Sequence, residues 1–122
     1  MVSKGPILVI EDDGGLRELL SESLSAEGYE VVTAPNGLAA LQLLDQQQPQ
    51  AILLDMRMPV MDGWGFAEAY RQRPGPHAPI IVLSGTMDAA DQAAAIKADA
   101  FLDKPFTLDD LREIVNFHTS RR

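Results

Sequence analysis

Four short apolar runs in this chain each stop at residues able to do chemistry. Ile7-Leu8-Val9-Ile10 gives way to Glu11-Asp12-Asp13, and Ile52-Leu53-Leu54 ends in Asp55. Ile80-Ile81-Val82-Leu83 stops at Ser84-Gly85, and Ala100-Phe101-Leu102 is followed by Asp103-Lys104-Pro105-Phe106. Continuous apolar runs of this length, bounded by turn residues, read as buried strands. Parallel strands all point one way, so the four ends gather into a single crevice holding carboxylates, a hydroxyl and an ammonium group. Clustered carboxylates repel one another. A hard divalent cation with oxygen ligands, magnesium or manganese, resolves that repulsion.

The segments between the runs carry helical patterning. Gly14-Gly15 reads as a flexible turn into a first helix with Leu16, Leu19, Leu20 and Leu24 on one face, ended by Gly28 as a left-handed cap. Residues 29–33 read as a further strand. Pro35-Asn36-Gly37 then turns into a second helix carrying Ala40, Leu41 and Leu44, closed by the polar Gln46–Pro49 loop. The central strand, 51–55, follows. Pro59 and Gly63 bracket a constrained loop, Asp62 caps a third helix bearing Phe66, Ala67 and Tyr70, and Pro74-Gly75-Pro76 ends it. Asp88 is placed to cap an alanine-rich fourth helix, and Thr107 with Asp110 to start a fifth with Leu108, Leu111 and Val115. Five strands alternating with five helices imply a doubly wound α/β fold, a parallel sheet covered on both faces.

Composition narrows the function. At 122 residues with a hydrophobic fraction of 46%, the chain can bury one core without disulfides, and it has no Cys for thiolate chemistry or thiolate-ligated metal. A net charge of −8, from 10 basic and 18 acidic residues, argues against direct nucleic-acid binding. No apolar run is long enough to span a membrane and residues 1–6 lack a signal-peptide core, so a cytoplasmic protein is expected. The chain reads as a single domain over 1–122, with a core of about 6–118 and no output domain; His118 to Arg122 is too short to form a second one.

The acid pair after the first strand, the Asp55-Met56-Arg57-Met58-Pro59-Val60-Met61-Asp62-Gly63 run, Ser84-Gly85 and Lys104-Pro105-Phe106 occur in the order and spacing of a known family. In these features the sequence resembles the receiver domain of two-component response regulators. The resemblance covers nearly the whole chain and implies a flavodoxin-like fold of five βα units. It implies that Glu11 and Asp12 are the family's metal-binding acid pair, with Asp13 a bystander. Asp55 would be both metal ligand and phosphoacceptor, the backbone carbonyl of Arg57 would complete the protein ligands, and magnesium would be the cofactor, with manganese an alternative. Lys104, the Ser84 hydroxyl and the Gly85 amide would hold the phosphoryl oxygens. A cis Lys104–Pro105 bond is implied as well.

The implied partners are a sensor histidine kinase or phosphotransfer protein, which donates the phosphoryl group, and an output partner that reads a surface formed by the fourth helix, last strand and fifth helix. Such a domain is a switch rather than an enzyme; it catalyses only its own phosphorylation and slow dephosphorylation. Ser84 and Phe101 align with the family's switch pair. Period-two alternation puts Phe101 with Asp103 on the face toward the fourth helix. Three departures from the family stand out: Glu11 where Asp is commoner, Ser84 where Thr is frequent, and Lys97 where Gly often ends the fourth helix.

Taken singly, each residue has a plain reading: Asp55 as a turn or cap, Lys104 as surface, Ser-Gly as a turn, and Phe101 as ordinary core. The functional reading rests on their co-occurrence. A flavodoxin-like binder of a phosphate-bearing cofactor needs a Gly- or Ser/Thr-rich loop after the first strand, where this chain has acids. A haloacid-dehalogenase-like phosphatase needs an acid at Arg57. A degenerate receiver acting only as a scaffold would lack some of the residues present.

Overall fold

A computed structural model describes residues 5–85 and 88–119. The expectations placed on residues 1–4 and on the tail 120–122 lie outside the described residues. Ten elements alternate: β1 Ile7–Ile10, α1 Gly14–Ala26, β2 Val31–Ala34, α2 Gly37–Leu43, β3 Ala51–Asp55, α3 Gly63–Gln72, β4 Ile80–Ser84, α4 Ala89–Ala95, β5 Ala100–Asp103 and α5 Leu108–Thr119. The sheet is parallel with order β2-β1-β3-β4-β5. This is the flavodoxin-like doubly wound arrangement, whose strand order reverses at β1 and β3.

The apolar runs lack an outward polar face because both sides of the sheet are covered. Leu8, Ile10, Ile52, Leu54, Ile80 and Val82 pack with Ala40, Phe66, Ala67, Tyr70, Ala93 and Ile96 of α2, α3 and α4 and its C-cap. The alternate residues Ile7, Val9, Ala51, Leu53, Ile81 and Leu83 pack with Leu20 and Leu24 of α1 and Leu111 and Val115 of α5. Each fully buried Val, Leu, Ile or Phe among these contributes roughly 1.5–3 kcal/mol.

Three element boundaries differ from the sequence expectation. Gly14 and Gly15 form the first turn of α1 rather than a turn before it, because Asp13 caps the helix by accepting from the Gly15 and Leu16 amides. Asp13 stays outside the acid cluster, as expected, and serves as a structural cap. β2 begins at Val31, since Gly28 at φ 96° and the Tyr29 amide, bonded to the Leu24 carbonyl, still belong to the end of α1. The Tyr29 hydroxyl instead reaches α5, at Asn116 and Thr119. His118 and Thr119 complete the last turn of α5 rather than a tail.

α4 is the least supported helix. Asp88 occupies its N-cap position but its side chain makes no capping bond, contrary to expectation. At the other end Lys97 takes the left-handed conformation, φ 57°, that a Gly would adopt without strain, and Arg71 braces this turn by donating to the Ile96 and Lys97 carbonyls at 3.0 and 2.8 Å. On its buried face the Gln92 amide is 3% exposed, and among the described residues neither its oxygen nor its nitrogen has a hydrogen-bond partner. An unpaired buried polar group costs roughly 1–3 kcal/mol. Gln92→Leu, close in volume and apolar, is expected to raise the melting temperature by at least about 4 °C. A thermal melt showing no gain would mean that the amide is satisfied in solution.

Candidate functional site

The carboxyl ends of β1, β3, β4 and β5 meet at one edge of the sheet, where parallel strands feed their loops. The loop after β3 is shaped by two glycines. Gly63 donates to the Met56 carbonyl at 3.0 Å, and a Cβ there would come within 2.8 Å of Met56 Cα, so only Gly lets the loop close onto the strand end. Gly37 of α2 donates to the Met61 carbonyl at 3.0 Å, and a Cβ on it would meet Met61 Cγ at 2.8 Å. Asp62 caps α3 by accepting from the Gly65 amide, as its position predicts. Between these anchors Val60 is held at φ 70°, a left-handed conformation costly for a β-branched residue.

The crevice so formed brings Glu11, Asp12 and Asp55 together, with one carboxylate oxygen of each within 4.8 Å of the others. Glu11 and Asp55 are buried, at 1% and 6% exposure, whereas Asp12 faces solvent. Lys104 bridges the two buried acids, its Nζ 2.9 Å from Glu11 Oε1 and 3.6 Å from Asp55 Oδ1. The Lys104–Pro105 peptide is cis. Ser84, also buried, ends β4, and its carbonyl accepts from the Lys104 amide at 2.7 Å. Gly85 follows it; a Cβ there would lie 3.9 Å from Lys104 Cβ and Cδ. The Arg57 amide donates to Asp55 Oδ1 at 3.4 Å. Phe101 stands apart: its ring is 41% exposed on β5 and belongs to neither core cluster, so it is not ordinary core in this conformation.

One ammonium does not balance three carboxylates. Burial, and then the charge of Glu11, push Asp55 up from 3.8 to about 7, against the lowering influence of Lys104. For Lys104, burial works against the charged form, but the hydrogen bond and charge of Glu11, with the charge of Asp55, outweigh it and raise its pKa. An all-oxygen donor set with residual negative charge is what a hard divalent cation requires, so the residues present fit such an ion.

The sequence profile of the response regulator receiver domain matches residues 7–116. Response regulator MprA of Mycobacterium sp. strain KMS is 39% identical over 107 residues, covering 86% of this chain and 46% of MprA. The chain spans less than half the length of the curated relatives it matches. Among solved structures, Thermotoga maritima TrrA, a response regulator in complex with Mg(2+)-BeF, superposes with a TM-score of 0.81 at 35% identity, covering 92% of this chain and 96% of that one. Chemotaxis response regulator CheY4 of Vibrio cholerae gives 0.85 at 28% identity, covering 96% and 98%. Nothing in these similarities favours a cofactor-binding flavodoxin, and the acid turn after β1 lacks the loop such a protein needs.

The raised Asp55 pKa has a thermodynamic sign. Between pH 3.8 and about 7 the folded protein keeps a proton on Asp55 that the unfolded chain has released, so the contribution of this group to stability falls as pH rises through that window. In metal-free buffer Asp55→Asn is therefore expected to melt higher than wild type at pH 8, by about 4 °C per kcal/mol relieved, and to have a flatter pH dependence. Added magnesium is expected to restore wild-type stability selectively. A wild-type melting temperature that climbs from pH 4 to 7 in chelator, while Asp55→Asn does not, would contradict the electrostatic description.

Proposed function

The chain belongs to the response regulator receiver domain family, and from that premise we propose that Asp55 is its phosphoacceptor. The observation that carries this reading is a buried carboxylate, pushed to about 7, sharing one crevice with two other acids and a lysine. A sensor histidine kinase or phosphotransfer protein presents a phosphohistidine. An Asp55 carboxylate oxygen attacks phosphorus, the new O–P bond forms as the P–N bond breaks, and the imidazole nitrogen keeps the electron pair and takes up a proton. Glu11, Asp12, Asp55 and the Arg57 carbonyl are the residues that hold magnesium, or manganese, which supplies Lewis-acid screening of phosphoryl charge when bound.

The remaining roles belong to the protein's own donors. Lys104, already poised between Glu11 and Asp55, shifts its ammonium toward a phosphoryl oxygen. The Ser84 hydroxyl and Gly85 amide donate to others, which is what preorganised electrostatic stabilisation requires. Drawing Ser84 toward the phosphoryl group vacates space beside α4, into which the exposed Phe101 ring turns. The surface of α4, β5 and α5 then differs between the two states, and an output partner reads the difference. Relatives about twice as long, some named as transcriptional regulators, support an output that acts on transcription. Among the described residues no helix is long and apolar enough to cross a membrane, in keeping with a cytoplasmic phosphorelay. The domain is a switch whose only catalysis is its own phosphorylation and slow dephosphorylation.

Incubation with acetyl phosphate and magnesium is expected to add one phosphoryl group by intact mass, mapped to Asp55, and none with chelator or in Asp55→Asn. An asparagine variant modified to the wild-type extent at this site would overturn the assignment. Lys104→Ala is expected to retain the modification but to lose the accompanying amide shifts in α4 and β5. In Phe101→Ala the shifts are expected to remain at the strand ends and vanish from β5. Beryllofluoride-induced shifts confined to the strand ends in wild type would remove the switch while leaving the phosphoacceptor in place.

A further inference from the structure

Arg17 completes the first turn of α1, outside the acid cluster, and its guanidinium turns back over the β1–α1 turn. Nη1 donates to the Glu11 carbonyl at 2.7 Å and lies 3.4 Å from the Asp12 carbonyl. These two carbonyls belong to the peptide planes on either side of the Asp12 Cα. The orientation of the first plane sets φ of Asp12, and that of the second sets ψ. With both fixed, the Cα–Cβ direction is fixed, and with it the base from which the side chain of Asp12, the exposed acid of the cluster, reaches toward Asp55.

The rest of the turn shows why such a clamp is needed. Glu11 is held on all sides: its amide by the Ala34 carbonyl at 3.0 Å, Oε2 by the Asp13 amide at 3.2 Å, and Oε1 by Lys104. Asp12 has no comparable burial, and it is followed after Asp13 by Gly14-Gly15, the two residues with the most backbone freedom to lose. A Cβ on Gly14 would sit 3.6 Å from Arg17 Nη2, so this face of the turn is where the guanidinium rests.

We propose that Arg17 is a positioning residue for the metal-binding acid Asp12, acting through the backbone of the β1–α1 turn rather than by its charge. The inference rests on the reading of Glu11, Asp12 and Asp55 as the cation site. Position and charge make opposite predictions. A guanidinium near an acid cluster repels a divalent cation, so if charge were all it supplied, Arg17→Gln would tighten magnesium binding. Acting as a clamp, its removal loosens Asp12 and weakens binding by about 10-fold, the lower end of what lost supporting bonds cost a metal site.

The experiment is a magnesium titration of the unphosphorylated protein, followed by the amide shifts of residues 11–13 and 55, for wild type, Arg17→Gln, Arg17→Lys and Asp12→Asn. Thermal melts check folding, and the amide-to-Hα coupling constant of Asp12 in chelator reports φ directly. Arg17→Gln is expected to bind magnesium about 10-fold more weakly and to shift the Asp12 coupling toward an averaged value. Arg17→Lys, which keeps the charge without the planar fork, is expected to fall between them. Unchanged or tighter binding by Arg17→Gln, or an Asp12 coupling identical to wild type, overturns the clamp. If wild type binds no magnesium at these residues, the cation-site reading fails, and the coupling constant in chelator still decides whether Arg17 fixes Asp12.

Discussion

The ion pair between Lys104 and Glu11 is the constraint on which the functional edge of this fold depends. Glu11 is buried at the end of β1, and a buried carboxylate without a cation is prohibitively costly. The partner comes from 93 positions away, beyond β5, so the side chain has to reach across the ends of β4 and β3. That reach pins the last strand to the first over the crevice. It also passes Asp55, whose Oδ1 is close enough to share the ammonium but not close enough to capture it. Removing one member of such a pair leaves the other uncompensated, which is why the three residues act as a unit rather than as separable contributors.

That shared ammonium also explains why the resting site is poised rather than satisfied. Its charge is divided between two carboxylates while a third stands beside them, and Asp55, the less well served of the two buried acids, is held toward its neutral form. Whatever brings positive charge to the crevice frees Asp55 to ionise, and under the proposed function a phosphoryl group on Asp55 would give Lys104 a further anionic partner. On that proposal the energetic difference between the two states would arise from redistribution of one cation. A ligand that stabilised both arrangements equally would shift nothing.

Much of this was legible in the sequence because the signals are coarse and local. Apolar runs too uniform for a one-sided sheet gave the parallel core, and the polar residue ending each run gave the site. The chain order of β1, β3, β4 and β5 was enough to bring Glu11, Asp55, Ser84 and Lys104 to one edge. What escaped was set by longer or finer interactions. Tyr29 looked like a strand residue from its aromatic ring and its Val neighbours, and nothing local reveals that its hydroxyl is claimed by Asn116 and Thr119. Asp13 precedes a leucine-rich helical stretch, as a cap does, but in the sequence it is indistinguishable from the two acids beside it. Arg17 gave no signal of its own, because a basic residue on an amphipathic helix is usually solvated and only the tertiary path of the turn gives it carbonyls to hold. Alternation places Phe101 on the face it shares with Val82, but exposure on an edge strand depends on how far α4 covers it, which periodicity does not encode.

The same contrast decides where a change at Asp55 can be felt. α1 is closed by the two capping bonds of Asp13, and α5 is tied to the end of α1 by the Tyr29 hydroxyl. α3 has its Asp62 cap and the close packing that Gly63 permits. α4 has only about two turns, no side-chain capping bond, a left-handed lysine at its end and a buried amide with no partner among the described residues. Local stability follows such differences, and the element with least to lose is the one that moves when a neighbouring contact is rearranged. β4 ends at Ser84 on one side of α4, and β5 carries Phe101 on the same face of the sheet. For the proposed switch, the route from the crevice to the surface is therefore short, and it would run through the helix that resists displacement least.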